Sequence, residues 1–198
     1  MSTHPTRRNI ILSGAAVSTS LAFADDVFAQ GGLSPTPACG ADSAPTLRQT
    51  EGPYFKPRSP ERQSLIERGV VGRQLELTGF VLTRSCEPVA KALVDFWQAD
   101  ANGAYDNAGF RLRGHQFTDA DGRYRLLTII PARYPGRTPH IHVKVQAPNG
   151  PVLTTQLYFP DEPSNESDRL FRRALLIRMA EAGSGAAAGQ FDFVLDMA

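Results

Sequence analysis

The chain has 198 residues, 41% of them hydrophobic, and its 21 basic and 20 acidic side chains nearly cancel to a formal charge of +1. That length is enough for one buried core, and the interspersed charges form no basic stripe of the kind a phosphate-backbone binder needs. Nucleic acids, acidic polymers and anionic membranes are therefore poor partners for it.

In chain order, the amino terminus departs first from globular composition. Thr6-Arg7-Arg8-Asn9 precedes the apolar run 10–24, followed by Asp25-Asp26 and Val27-Phe28-Ala29-Gln30. A basic start, a short apolar stretch and small residues at candidate cleavage points after Ala24 or Ala29 form a signal-peptide pattern. The paired arginines point to the twin-arginine route, whose cargo crosses already folded, and so to a periplasmic location. The run is shorter than the roughly 20 residues a bilayer span needs, which favours a removed signal over a permanent anchor. A membrane tether is the alternative. Residues 1–29 are thus read as signal, 30–46 as a flexible Gly-, Pro-, Ser- and Ala-rich leader, and 47–198 as the folded domain. The two cysteines, Cys39 and Cys86, fall in the leader and the body. An oxidising compartment favours a bridge between them, with two unpaired thiols as the alternative. No Cys-x-x-Cys spacing supports a zinc site.

Short runs of β pattern follow at 74–83, 92–98, 123–130, 140–147 and 152–159. Turn chemistry such as Asp119-Ala120-Asp121-Gly122 and Pro148-Asn149-Gly150-Pro151 separates them. The expected architecture is all-β, a β-sandwich of mostly antiparallel strands. One peripheral helix is expected near the C-terminus, over 167–182, where Leu170, Ala174 and Ile177 with Phe171, Leu175 and Met179 form an apolar stripe. Residues 184–189 are expected as a flexible connection, and 190–196, with Phe191, Phe193 and Leu195 alternating, as the last strand.

The chemistry concentrates in Arg133-Tyr134-Pro135-Gly136-Arg137-Thr138-Pro139-His140-Ile141-His142. On an extended strand His140 and His142 share one face, while Ile141, Val143 and Val145 share the other and can enter a core. Paired imidazoles so placed suit a metal; the plainer alternative is two polar residues on a half-exposed strand. Tyrosines are the best further donors, because the nearby carboxylates fall in turn sequences. Tyr134 precedes the histidines across Pro135-Gly136, and Tyr105 follows the strand ending at Trp97-Gln98. Both sit in loops at strand edges, where a rigid scaffold commonly carries binding groups.

Several ordered motifs resemble those of the intradiol ring-cleavage dioxygenases, and of protocatechuate 3,4-dioxygenase's catalytic domain in particular. They are Thr50-Glu51-Gly52-Pro53-Tyr54-Phe55, Asp95-Phe96-Trp97-Gln98-Ala99-Asp100, Gly103-Ala104-Tyr105, Thr118-Asp119-Ala120-Asp121-Gly122-Arg123-Tyr124, Thr128-Ile129-Ile130-Pro131-Ala132-Arg133-Tyr134-Pro135, Arg137-Thr138-Pro139-His140-Ile141-His142 and Thr155-Gln156-Leu157-Tyr158-Phe159. The resemblance implies a non-haem iron(III) centre with Tyr105, Tyr134, His140 and His142 as metal ligands. It further implies that a catechol-type substrate and O2 react there, the ring opening between its two hydroxylated carbons to give a muconate-type diacid. Hard, oxidised iron suits anionic oxygen donors, and imidazole also suits iron. Tyr105 is implied as the displaceable ligand and catalytic proton acceptor. Arg137 is implied as a catalytic and substrate-binding cation, with Tyr54 and Gln156 as further substrate contacts. Trp97 is expected to pack beneath the site, and Tyr124 and Tyr158 in the core. The alternative function is an exported β-sandwich that binds iron or catechol without opening the ring. The segment between Tyr105 and Thr118 is short by the family's pattern, so part of the substrate wall is expected to be missing or supplied by another chain, as in a homo-oligomer.

Overall fold

The computed structural model describes Met1 and residues 43–180 and 187–197. The proposed signal peptide and most of the leader, including Cys39, lie outside the described residues. Cys86 is disulfide-bonded. Among the described residues no helix is long and apolar enough to cross a membrane.

Among the described residues nine strands form two sheets: β1 (Gln74–Leu82), β2 (Leu93–Gln98), β3 (Arg113–Phe117), β4 (Arg123–Ile129), β5 (His140–Gln146), β6 (Val152–Tyr158), β7 (Arg178–Ala180), β8 (Ala187–Gln190) and β9 (Phe193–Val194). One sheet runs β3-β2-β5-β6, and the other runs β4-β1-β8-β7 with β9 also paired to β1. All pairings are antiparallel except β1 with β8 and with β9. Alternation makes this work: Val94 and Phe96 on β2, Ile141, Val143 and Val145 on β5, and Leu75, Leu77 and Leu126 opposite them are all buried in one core. The expected all-β sandwich is the fold observed, and the five expected strand runs match β1, β2, β4, β5 and β6 to within a residue at each end.

The expected C-terminal helix is not there. Residues 167–180 instead form a turn, a short 3-10 segment at Arg173–Leu175 and strand β7. Their backbone groups are claimed by partners a helix would not allow. Asp168 Oδ1 accepts the Leu170 N–H, Leu170 O accepts from Gln49 Nε2 and Tyr158 Oη, and the Ile177 N–H donates to Tyr158 O. Leu175 and Ile177 are the buried apolar positions, a two-residue alternation that a helical stripe can mimic over short stretches. Of the segment expected as a flexible connection, residues 184–186 lie outside the described residues and 187–189 differ: Ala187–Gln190 is β8, wedged between β1 and β7. A Cβ on Gly189 would come within 2.7 Å of Ile177, so small residues are what this slot admits.

The expected last strand is interrupted at Phe191-Asp192. There the Asp192 carboxylate replaces a ladder carbonyl, accepting the Phe80 N–H at 2.9 Å, and Tyr124 Oη donates to Phe191 O at 2.7 Å. Gly79 faces this crossing, and a Cβ on it would penetrate the Phe191 carbonyl, which is backbone and cannot swing aside. Gly79→Ala is therefore expected to destabilise the fold by about 2–4 kcal/mol, read from urea or thermal unfolding.

Candidate metal centre

The strand register assembles the site on the β3-β2-β5-β6 sheet, on the face away from the core. Arg113, Trp97, His142 and Gln156 form one cross-strand row, and His115, Asp95, Lys144 and Thr154 form the next. The chain covers this face with its own amino-terminal segment. Gln49 N–H bonds to Thr154 O beside β6, and Glu61 bridges to His115 on β3, so residues 49–61 cross the sheet from edge to edge. On the way Gly52, at φ +70°, passes over His142, where a Cβ would lie 3.3 Å from the ring; Phe55 packs edge-on to Trp97. A glycine meets both demands, the left-handed backbone and the close approach.

His140 and His142 are both buried, with their Nε2 atoms 3.1 Å apart. His140 Nδ1 lies 2.6 Å from the Thr138 carbonyl oxygen. A carbonyl only accepts, so Nδ1 carries the proton and Nε2 presents its lone pair. Burial, reinforced by the Arg137 charge, lowers the His140 pKa to about 4, and burial with the His140 ring beside it holds that of His142 well below its ordinary value. Both rings are thus neutral, the form in which imidazole binds metals. Trp97 stacks under His142 at 4.8 Å, as expected.

The two tyrosines come from separate loops that Asp100 joins. Its carboxylate accepts the N–H groups of Asn102 and Ala104, shaping the turn into Tyr105, while its carbonyl accepts the Ala132 N–H near Tyr134. Tyr105 Oη reaches 3.5 Å from His140 Nε2, and the Tyr134 ring lies 5.7 Å from both the Tyr105 and His140 rings. Burial, then the neighbouring Tyr134, raises the Tyr105 pKa, with Arg137 and Arg113 opposing. A phenolate at Tyr105 accordingly requires a cation beside it. Among the described residues no group of three His, Cys, Asp or Glu is placed to hold a metal. The donor set at this point is two neutral imidazoles and two phenols, which fits a hard, oxidised transition metal.

Arg137 is fixed from two sides. Its Nε donates to Asp168 Oδ2 at 2.9 Å, its Nη2 donates to Gln156 Oε1, and its Nη1 lies 3.4 Å from Tyr134 Oη. Burial disfavours the guanidinium charge, but the Asp168 carboxylate more than offsets it and holds the pKa above its ordinary value. Gln156 is fully buried, and its Nε2 donates to Thr50 O. A cavity of about 440 Å³ opens beside Tyr134 and Arg137, lined also by Arg133, Ser164, Ser167 and Asp168. The structure thus brings Tyr105, Tyr134, His140, His142, Arg137 and Gln156 together, with Tyr54 stacked on Tyr105 at 4.3 Å. Asp168 escaped the sequence reading because it lay inside the expected helix. Arg113, whose guanidinium lies 5.9 Å from the Tyr105 ring, escaped it because nothing in its neighbourhood marks a strand. The short segment after Tyr105 is a loop built on Asp106, whose carboxylate accepts three backbone N–H groups, followed by β3.

His115 belongs to a different cluster. Ser59 Oγ donates to Asp95 Oδ1 at 2.8 Å and lies 3.0 Å from His115 Nδ1. The serine proton goes to the carboxylate, so this is not an activated nucleophile. It pins the covering segment to the sheet. Burial raises the Asp95 pKa and the Ser59 hydrogen bond opposes that. Ser59→Ala is expected to cost about 1–3 kcal/mol of unfolding free energy, with metal content unchanged on elemental analysis.

A two-sheet sandwich that gathers two buried imidazoles and two half-buried phenols under its own amino-terminal segment defines the class of protein. A family model described as Dioxygenase matches residues 50–197. The chain is 38% identical over 120 residues to the protocatechuate 3,4-dioxygenase beta chain of Burkholderia cepacia, covering 52% of this chain and 51% of that protein. It is 28% identical to catechol 1,2-dioxygenase of Acinetobacter baylyi, covering 73% and 56%. The solved dioxygenase domain of a dioxygenase carbohydrate-binding protein fusion from the cellulolytic bacterium Streptomyces sp. SirexAA-E aligns at TM-score 0.76 and 58% identity, covering 78% of this chain and 100% of that one. 3-Chlorocatechol 1,2-dioxygenase of Rhodococcus opacus 1CP aligns at 0.72 and 28%, covering 77% and 73%. The chain belongs to the intradiol dioxygenase family. It spans about half the length of the curated relatives it matches.

Proposed function

We propose that this protein is an exported, iron(III)-dependent intradiol dioxygenase that inserts both atoms of O2 into a catechol-type aromatic and opens the ring between its two hydroxylated carbons, giving a muconate-type diacid. The observation that carries the reading is the convergence of His140 Nε2, its lone pair fixed by the Thr138 carbonyl, with His142 Nε2 and Tyr105 Oη. Tyr105, Tyr134, His140 and His142 would hold the iron, which when bound draws electron density from a coordinated catechol and readies the ring for oxygen.

The protein's own groups supply the rest. Tyr105, whose hydroxyl reaches toward His140 Nε2, is the base that takes a proton from the entering catechol. Arg137, held by Asp168 and Gln156, keeps a fixed positive charge on the cavity wall beside Tyr134, where it can stabilise negative charge growing on the ring. The covering segment 49–61 excludes water from the imidazole face. Export rests on the Arg7-Arg8 pair and the apolar run after it, and the disulfide at Cys86 accords with an oxidising compartment.

The test is to load the purified protein with iron, record visible tyrosinate-to-iron(III) charge-transfer absorption, and measure oxygen uptake with catechol, protocatechuate and hydroxyquinol. Colour with oxygen consumption and a diacid product is the expected result. Colour and catechol binding without oxygen uptake would replace it with the binding-protein alternative. Absence of colour in a sample shown to contain iron would remove the tyrosine ligands.

A further inference from the structure

Arg113 is a buried cation for which the mechanism above has no use. It is 1% exposed, and no ion pair among the described residues includes it. Its Nη2 has no hydrogen-bond partner among them either. Burial disfavours its charge, and the Asp106 and Asp95 carboxylates offset that only in part, so the fold holds this cation at a cost that calls for a specific return.

The remaining donors go to two main-chain carbonyls that flank one pair of stacked rings. Nη1 donates to Tyr54 O at 2.5 Å, and Nε donates to Asp106 O, the residue after Tyr105, at 3.1 Å. Between them the Tyr54 and Tyr105 rings lie 4.3 Å apart and 13° from parallel. Arg113 is itself held from behind, its carbonyl accepting Arg62 Nε at 3.0 Å and Nη2 at 2.8 Å. A planar guanidinium thus spans the covering segment and the Tyr105 loop, and fixes each relative to β3. Neither loop has a β-ladder of its own at this point.

We propose that Arg113 is a positioning residue that acts through Tyr54: it clamps the two backbones so that the Tyr54 ring presses on Tyr105 and holds that phenol toward His140. Its meaning for catalysis rests on the function proposed above, but the clamp itself does not. A ligand that must leave and return during turnover needs a support that restores its place, and the stacked ring on a braced backbone provides one. Lysine cannot substitute for this arginine, because an ammonium lacks the two-pronged planar geometry.

The experiment compares Arg113→Gln, Arg113→Lys, Tyr54→Ala and Tyr54→Phe with the parent protein, by hydrogen exchange without metal and by spectrum and kinetics with iron. In Arg113→Gln and Arg113→Lys, the amides of Ala104, Ala108 and Gly109 should exchange about ten- to a hundredfold faster, as expected for loss of a charge-assisted hydrogen bond, while β2 and β5 stay protected. With iron, the charge-transfer absorption per metal should weaken and shift, and kcat should fall more than KM. Tyr54→Ala should reproduce the spectral change and Tyr54→Phe should not. If the Arg113 variants do not fold, the Tyr54 pair decides. Parent-like loop exchange and spectrum in Arg113→Gln or Tyr54→Ala, with only a lowered thermal midpoint, would overturn the proposal and leave a purely structural arginine. If no variant or parent binds iron, the proposed function fails, and the metal-free exchange still decides the clamp.

Discussion

Tyr134→Phe is expected to strip the protein of iron and, with it, of charge-transfer colour and ring-opening activity. The substitution removes one oxygen and almost nothing else, since the Tyr134 ring contacts to Tyr54, Tyr105 and His140 survive in phenylalanine. Loss of a supporting partner alone typically weakens metal binding by about 10- to 100-fold, and loss of a donor should exceed that. His142→Ala should do the same at greater cost to the fold, because it also empties a buried site between Trp97 and Gly52. Iron content after dialysis against a chelator, with the visible spectrum, measures both. A Tyr134→Phe protein that keeps full iron and colour would leave Tyr134 outside the ligand set.

The second large effect concerns Arg137 and Asp168. Their side chains are 13% and 2% exposed, so removing the cation strands a buried carboxylate. Arg137→Met should cost about 3–5 kcal/mol of stability and slow turnover by about 100- to 1,000-fold, the usual scale for losing a charge-stabilising donor, while iron stays bound. The double variant Arg137→Met/Asp168→Asn should recover much of the stability and none of the turnover. That separation tells a transition-state charge from a structural one. The pair also has a pH signature. Burial pushes the Asp168 carboxyl up, but the N–H groups of Leu170 and Thr138 and the Arg137 guanidinium prevail and hold it below its ordinary value. Its stabilisation is therefore complete above the unfolded value of about 4 and is lost as pH falls through the lower folded value. Urea unfolding at descending pH should show this loss in the parent and not in the double variant.

The legible parts of the fold were those with one face in the core. Ile141, Val143 and Val145 alternate cleanly because the other side of β5 carries His140, His142 and Lys144, and the same contrast marks β1, β2, β4 and β6. Strand β3 was invisible because its inward positions are Gly114 and Gln116, while Arg113 and His115 face the covering segment. No apolar alternation remains in it to detect. The C-terminal region failed for the opposite reason: Leu175 and Ile177 are apolar at a spacing compatible with two periods, and only contacts with Tyr158 and β8 decide between them. At the site, the imidazoles and phenols were readable as residue types in ordered motifs. Two of their supports were not, because they act on partners distant in the chain, Asp168 on Arg137 and the Thr138 N–H and Arg113 on the Tyr54 carbonyl.

That distance bears on how the protein matures. The covering segment is tied to late residues, Gln49 to Leu170 and Thr50 to Gln156, so nearly the whole chain must leave the ribosome before the pocket has walls. The proposed metal donors, all between Tyr105 and His142, therefore stay uncovered until that late stretch has been made. For the exported dioxygenase proposed above, a route that accepts only folded cargo would then require the metal to be taken up before translocation, in the cytoplasm.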